Sequence, residues 1–141
     1  MSYDFLDDIA TGDVAFKATG RTLDELFASA AEATLEVMVA TATVEPKILR
    51  ELELENMDIE ALLYDFLENI IYLKDSEYLV FGKLGVKVQT DKPYKLKATL
   101  HGEKIDPSKH ELRNDVKAVT YHMFEVKKDT EGWNAQVILD I

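Results

Sequence analysis

Two carboxylates at the end of the chain are the groups whose chemistry is easiest to interpret. Asp140 precedes Ile141, which carries the terminal α-carboxylate, so two negative groups lie on adjacent residues. Such groups repel each other unless a cation or a basic group lies between them, and hard divalent cations prefer oxygen ligands of this kind. The pattern leaves two interpretations open, a cation site and a solvated chain end, because most termini fray.

Asp13 is a second candidate ligand, in the predicted loop Thr11-Gly12-Asp13. The glycine frees the backbone, and the aspartate can either cap a turn or ligate a cation. Spacing alone favours the turn.

A third candidate is the segment 117–122, with the sequence KAVTYH, which combines a lysine, a phenol and an imidazole in a β-prone run. A functional strand would have this composition, but so would a half-buried strand whose polar groups are satisfied. The histidines His101, His110 and His122 show no HxH or HxxxH spacing, which argues against a zinc site. No serine lies in a nucleophile elbow and no glycine-rich loop has a phosphate-binding pattern, so nothing in the sequence indicates an enzyme.

Two amphipathic helices are predicted to position these groups. The segment 58–74, DIEALLYDFLENIIYLK, places large apolar residues at three- and four-residue spacing on one side and Glu60, Asp65 and Glu68 on the other. Its start is predicted near Asn56 or Asp58. A second, alanine-rich helix is predicted to begin at a capping box formed by Thr22 and Glu25.

The rest of the chain is predicted to be mostly strands separated by turns. Their sequential order predicts antiparallel pairing, and the whole predicts a single α+β domain over residues 1–141, with two helices packed on a mostly antiparallel sheet. The predicted strands are 14–19, 47–55, 79–81, 86–89, 95–100, 117–127 and 133–141, with a β-prone stretch at 41–45.

Composition restricts the function classes. The chain of 141 residues has 16 basic and 27 acidic residues and a net charge of −11, which disfavours direct binding to nucleic acid or a membrane surface. A basic partner or a bound cation suits this charge better. Cysteine is absent, the N-terminus MSYDFLDD does not resemble a signal peptide, and no run of about 18 apolar residues occurs. We therefore expect a cytoplasmic protein.

The chain resembles the archease family over essentially its whole length. The match is specific because several separate motifs occur in the family's order. One departure is that the family usually has a histidine just before the threonine of the first motif, where this chain has Ala10. The motifs are Thr11-Gly12-Asp13-Val14, residues 20–27, residues 58–67, the strand 116–122, and Ile138-Leu139-Asp140-Ile141.

The resemblance implies a non-enzymatic activator of the GTP-dependent RNA-splicing ligase, which joins exon halves after tRNA intron removal. The activator would promote guanylylation of the ligase histidine and widen its nucleotide use. The resemblance also implies a divalent cation held by Asp13, Asp140 and the carboxylate of Ile141, with calcium expected and magnesium or manganese as alternatives. We expect a monomer that engages the ligase transiently. Two other functions stay open: a metal-dependent hydrolase that uses the same carboxylates, and a general protein chaperone or scaffold.

Overall fold

The computed structural model describes residues 2–6 and 12–141. Within these residues, two α-helices and eight strands form the α+β architecture, with strands paired antiparallel throughout, so the predicted fold class is confirmed. The elements in chain order are β1 (Ser2–Leu6), β2 (Asp13–Gly20), α1 (Leu23–Met38), a 3₁₀ turn (Thr41–Thr43), β3 (Ile48–Asn56), α2 (Ile59–Glu77), β4 (Leu79–Val88), β5 (Tyr94–Lys104), β6 (Ala118–Val119), β7 (Glu125–Asp129) and β8 (Gly132–Asp140).

The strands form two sheets, where the sequence predicts one. The first sheet has the order β1-β2-β8-β6, and β7 also pairs with β8. The second has the order β3-β5-β4. In β3 the exposed Glu51, Glu53 and Glu55 alternate with half-buried Leu52 and Leu54, as their spacing predicts. The second sheet can thus bury one face and leave the other in water.

Helix α1 is capped by Thr22 as predicted, but the return bond of the predicted capping box is shifted by one residue, from Thr22 to Arg21. The Thr22 hydroxyl accepts the Glu25 N–H at 3.2 Å, and a Glu25 carboxylate oxygen accepts the Arg21 N–H at 3.5 Å. Three of its alanines, Ala30, Ala31 and Ala33, are fully buried. These small side chains let the helix pack closely against β2 and β8 of the first sheet and against β4 of the second. Helix α1 therefore joins the two sheets.

Helix α2 is the predicted core helix and runs three residues further than expected. Asp58 caps it by accepting the Ala61 N–H at 3.1 Å, and Tyr78 ends it in the left-handed region with φ 55°. Phe66 is fully buried and stacks on Phe27 of α1, with ring centroids 6.1 Å apart. The helix packs on the second sheet and also reaches β6 and β7. Among the described residues, no helix combines the length and apolar character needed to cross a membrane.

Three local predictions are wrong, each because a glycine or a turn overrides β propensity. The stretch 41–45 contains a 3₁₀ turn. The two predicted strands 79–81 and 86–89 are one strand, Leu79–Val88, with a bulge at Gly82, where a Cβ would lie 2.7 Å from the Thr41 carbonyl oxygen. The predicted strand 117–127 is broken after Val119, because the chain turns back at Met123, whose φ is 55°.

Candidate metal centre

Asp13 and Asp140 are direct cross-strand partners at the end of the β2–β8 ladder. Paired residues in an antiparallel sheet point to the same face, with Cβ atoms about 5 Å apart. Both side chains are half-buried. Asp13 is thus the first residue of β2, where the sequence predicts a loop. The structure brings together two acids that lie at opposite ends of the sequence.

The backbone of Ile141 joins this pair through the adjacent turn. Its N–H donates to the Gly12 carbonyl oxygen at 2.9 Å, which extends the ladder by one hydrogen bond. Gly12 has φ +95°, a conformation that favours glycine. A Cβ at this position would lie 4.0 Å from the main-chain oxygen of Ile141. The terminal group is therefore held beside the turn that precedes Asp13.

The surroundings of the acid pair are partly apolar. Ala15 and Ile138, the next cross-strand pair on the same face, are only 1% and 2% exposed. Ile138 is apolar although its neighbours on this face of β8, Gln136 and Asp140, are polar, and its burial explains this difference. On the other side of β8, Ala118 pairs with Asp140, and the Lys117 N–H donates to the Asp140 carbonyl oxygen at 2.8 Å. The carboxylates therefore lie at the border between solvent and a buried apolar patch.

The charges of this pair are not neutralised by an ion pair within residues 2–6 and 12–141. Like charges directly opposite each other destabilise a sheet, and a divalent cation between them would remove this repulsion. The donor set of Asp13, Asp140 and the terminal carboxylate consists only of oxygens, which fits calcium, magnesium or manganese. Over the same part of the chain, no three His, Cys, Asp or Glu side chains converge on one point, so the terminal carboxylate would have to complete the set.

Thr11 of the first motif, and Ala10 just before it, lie outside the described residues.

The candidate segment 117–122 lies beside the acid pair and ends in an exposed loop. Tyr121 and His122 are exposed, whereas the Thr120 hydroxyl is buried and has no hydrogen-bond partner among the described residues. A buried hydroxyl without a partner costs about 1–3 kcal/mol. The Thr120 N–H donates to the Ile138 carbonyl oxygen at 3.0 Å, which keeps this residue next to β8. The segment 117–122 thus lies next to the Asp13–Asp140 pair but adds no carboxylate ligand to it.

Helix α2 holds this segment with side chains that the sequence assigns to solvent. Glu60 accepts the Val126 N–H at 2.9 Å, and Glu68 accepts the Val119 N–H at 3.1 Å. Between them, the Tyr64 hydroxyl donates to the Val119 carbonyl oxygen at 3.1 Å. Burial, followed by the nearby Glu68 carboxylate, raises the pKa of Tyr64 to about 12, so this donor stays protonated. The four-residue spacing of Glu60, Tyr64 and Glu68 could have indicated this shared role, because it places the three side chains on one side of the helix.

A second polar cluster, which sequence spacing did not reveal, lies away from the acid pair. Glu103 and His110 are both buried, and the His110 Nε2 lies 2.9 Å from a Glu103 carboxylate oxygen. The other ring nitrogen accepts the Asp106 N–H at 3.0 Å, so Nε2 carries the proton and donates to Glu103. Lys109 and the Glu45 N–H also bind this carboxylate, at 2.8 and 2.7 Å. The cluster fastens the 105–112 loop to β5.

Comparisons of the sequence and of the structure with known proteins find members of the same family. Residues 3–141 match the model of the Archease protein family (MTH1598/TM1083). Protein archease of Pyrococcus abyssi is 45% identical over 133 residues, covering 93% of this chain and 94% of the relative. Protein archease of Methanosarcina acetivorans is 38% identical over 141 residues, covering 99% and 95%.

Two solved structures share the fold. The solution structure of Methanobacterium thermoautotrophicum protein 1598 has a TM-score of 0.85 and 38% identity, covering 99% of this chain and 98% of that one. The crystal structure of an archease, a possible chaperone, from Thermotoga maritima has a TM-score of 0.67 at 20% identity, covering 94% and 93%. The resemblance inferred from the motifs is therefore confirmed, and the chain belongs to the archease family.

Proposed function

We propose that this protein is a non-enzymatic activator of the GTP-dependent RNA-splicing ligase and carries a divalent cation at Asp13, Asp140 and the Ile141 carboxylate. Membership of the archease family supports the first part. The observation that carries the second part is the cross-strand pairing of Asp13 with Asp140, extended by the Ile141 N–H bond to Gly12. The partner would be a protein, and the proposed role requires no contact with a membrane.

The proposed role follows from what the three carboxylates do. Asp13 and Asp140 would provide side-chain oxygens from two neighbouring strands, and Ile141 would provide the terminal oxygens from the adjacent turn. A bound divalent cation supplies positive charge that offsets these carboxylates and attracts phosphate oxygens. The rigid β2–β8 ladder would hold the oxygens in place, so the acidic protein can bring this end close to a nucleotide bound by the ligase.

A metal-dependent hydrolase would use the same carboxylates to activate water, and would need a general base within hydrogen-bond reach of it. Within the described residues, the histidine that is hydrogen-bonded to a carboxylate is His110, and it is bonded to Glu103 and Asp106 in a separate cluster. This arrangement favours the non-enzymatic role. The possible chaperone role named for the Thermotoga maritima protein provides a second candidate function, which would require neither the cation nor a nucleotide.

The decisive experiment is single-turnover guanylylation of the cognate ligase with radiolabelled GTP, in the presence and absence of this protein. We expect the wild type to accelerate covalent GMP transfer to the ligase, and Asp13→Asn and Asp140→Asn to lose most of that acceleration. Glu53→Gln is the matched control, since this exposed carboxylate lies on the second sheet and forms only a long ion pair of 3.8 Å with Lys97.

The outcomes separate the candidates. Acceleration that is equal with and without chelator, and equal in Asp13→Asn, would contradict the cation part. Absence of acceleration by the wild type, together with suppression of aggregation of an unrelated unfolded protein, would support the chaperone function. Release of product from a phosphoester substrate by the protein alone would support the hydrolase.

A further inference from the structure

The loop of residues 120–124 exposes large side chains although its backbone is firmly held. Tyr121 is 74% exposed and Met123 is 57% exposed. The loop is closed by the Phe124 N–H bond to the Tyr121 carbonyl oxygen at 3.2 Å, and Gln136 of β8 donates to the Met123 carbonyl oxygen at 3.3 Å. We call residues 120–124 the aromatic loop. Its exposure is therefore a fixed feature of the fold.

The Tyr121 ring lies on a second tyrosine. Its centroid is 4.1 Å from that of Tyr64 on α2, and the two planes differ by 7°. Phe124 meets the edge of Tyr64 at 5.7 Å. One face of the Tyr121 ring is thus covered by Tyr64, and its high exposure leaves the opposite face open to a ligand.

Four carboxylates lie around the aromatic loop, and the cation Lys117 lies three residues before it. Glu68 lies beneath the loop and bonds to Val119, and Glu60 bonds to Val126 just after it. The Asp13–Asp140 pair lies on the other side, because the loop leaves β6 two residues after Ala118, the partner of Asp140. The nearby Glu125 is offset by Lys127 at 3.4 Å.

An open aromatic face surrounded by carboxylates suits a guanidinium group. Arginine stacks on aromatic rings and pairs with carboxylates at the same time, and tyrosine and arginine are frequent hot spots in protein interfaces. RNA is a poorer occupant, since its phosphates would meet the carboxylates of a protein with a net charge of −11.

We propose that the aromatic loop is the docking element for an arginine-bearing surface of the ligase, with Tyr121 stacking on the arginine beside the Asp13–Asp140 centre. This inference rests on the proposed function and adds the surface that meets the partner. Docking here would bring the carboxylate centre to the same region of the ligase, because β6 connects the loop directly to the partner of Asp140. The loop would set affinity, and the carboxylates would act after docking.

The test measures the Kd of the ligase for four forms of the full-length protein by isothermal titration or interferometry. Tyr121→Ala should raise the Kd by about 30-fold, the range of an aromatic hot spot. Tyr121→Phe keeps the ring and should bind like the wild type. Tyr72→Ala is the matched control, since Tyr72 is 66% exposed on the same helix that carries Tyr64.

Thermal denaturation and cation titration of each variant accompany the binding measurements. If Tyr121→Ala keeps its Tm and cation affinity but loses ligase affinity, the proposal is supported. Unchanged ligase affinity in Tyr121→Ala, or an equal loss in Tyr72→Ala, would overturn it while leaving the proposed function standing. A wild type that neither binds nor activates the ligase would overturn the proposed function itself. Binding of a single-stranded RNA that depends on Tyr121 would assign the loop to RNA and overturn the proposal.

Discussion

At the scale of single residues, the notable feature is a pair of like charges placed opposite each other. Asp13 and Asp140 are cross-strand partners, and Ile141 is hydrogen-bonded to the turn beside them. No spacing rule predicts this meeting, because the two acids are far apart in the sequence. Residue type and position identified each acid as a candidate ligand. Turn capping remained the alternative for Asp13, and a solvated chain end remained the alternative for Asp140. Only the family resemblance brought the two acids together in advance; the structure pairs them across two strands, and their joint role as cation ligands stays a prediction.

The first prediction concerns the terminal carboxylate. Adding one glycine after Ile141 converts that carboxylate to an amide carbonyl and moves the terminal negative charge one residue further along, while the β2–β8 ladder remains. An incomplete oxygen shell of this kind should bind calcium or magnesium at about micromolar to millimolar Kd, so each ligand matters. We expect the extended protein to bind as weakly as Asp140→Asn and Asp13→Asn in isothermal titration.

The control for this series is Glu53→Gln, which removes a charge of the same sign from the second sheet. It should leave cation affinity unchanged. If the glycine-extended protein binds as tightly as the wild type, the terminal carboxylate is not a ligand and the site is reduced to the two aspartates or lies elsewhere.

At the scale of elements, apolar periodicity predicted the two helices because their buried faces repeat at helical spacing over many residues. The strands were predicted where Leu and Glu alternate, as in β3. The break in the predicted strand 117–127 was not predicted. It depends on the left-handed backbone conformation of Met123, which β propensity does not indicate. The role of Glu60 and Glu68 was also missed, since a carboxylate on the polar side of a helix is usually solvated.

The core helix provides the second prediction. Phe66→Ala should lower the free energy of unfolding by about 3–5 kcal/mol, because it removes a fully buried ring stacked on Phe27. Urea denaturation measures this directly. Tyr72→Ala, on the exposed side of the same helix, should change the free energy by less than about 0.5 kcal/mol. Equal stability of the two variants would show that α2 is peripheral to the core.

The buried Glu103 cluster provides the third prediction. The hydrogen bond from His110, followed by those from Lys109 and the Glu45 N–H, lowers the pKa of Glu103 from 4.5 to about 2. A pKa that is lower in the folded state stabilises the protein above about pH 4.5, and this stabilisation disappears as the pH falls towards 2. The Tm gap between the wild type and Glu103→Gln should therefore be widest at pH 6, narrow as the pH falls below about 4.5, and vanish near pH 2. A gap that stays constant over this range would contradict the assignment.

At the scale of the whole molecule, the dominant property is its charge. A net charge of −11 gives long-range attraction to a basic partner and repulsion from nucleic acid. Charge could be predicted fully from the sequence, but its distribution could not. The structure divides it between Glu–Lys pairs on the second sheet, such as Glu55 with Lys95 at 3.7 Å, and Asp13 and Asp140 at the end of the first sheet, which form no ion pair within the described part of the chain.

The fourth prediction follows from this charge. Because screening shortens the reach of electrostatic attraction from about 10 Å at 0.1 M salt to about 3 Å at 1 M, activation of the ligase should weaken as salt rises. Guanylylation rates with and without the protein, measured at each salt concentration, give a ratio that corrects for the response of the ligase itself. A ratio that is flat from low to high salt would count against electrostatic attraction as the cause of association.

The β2–β8 pairing also has a consequence for how the protein forms. β2 is made before β3, β4 and β5, yet its hydrogen-bonded partner β8 is made after them, whereas β3, β4 and β5 pair within one continuous stretch. Contacts between residues close in sequence form faster than distant ones, so the second sheet should fold first and the first sheet should close last. Pulse-labelled hydrogen exchange during refolding should protect the amides of β5 before those of β8, and the reverse order would refute this sequence of events. Until that closure, the edge of β2 that pairs with β8 has no hydrogen-bonded partner, which makes the nascent chain, more than the finished protein, the species prone to aggregate.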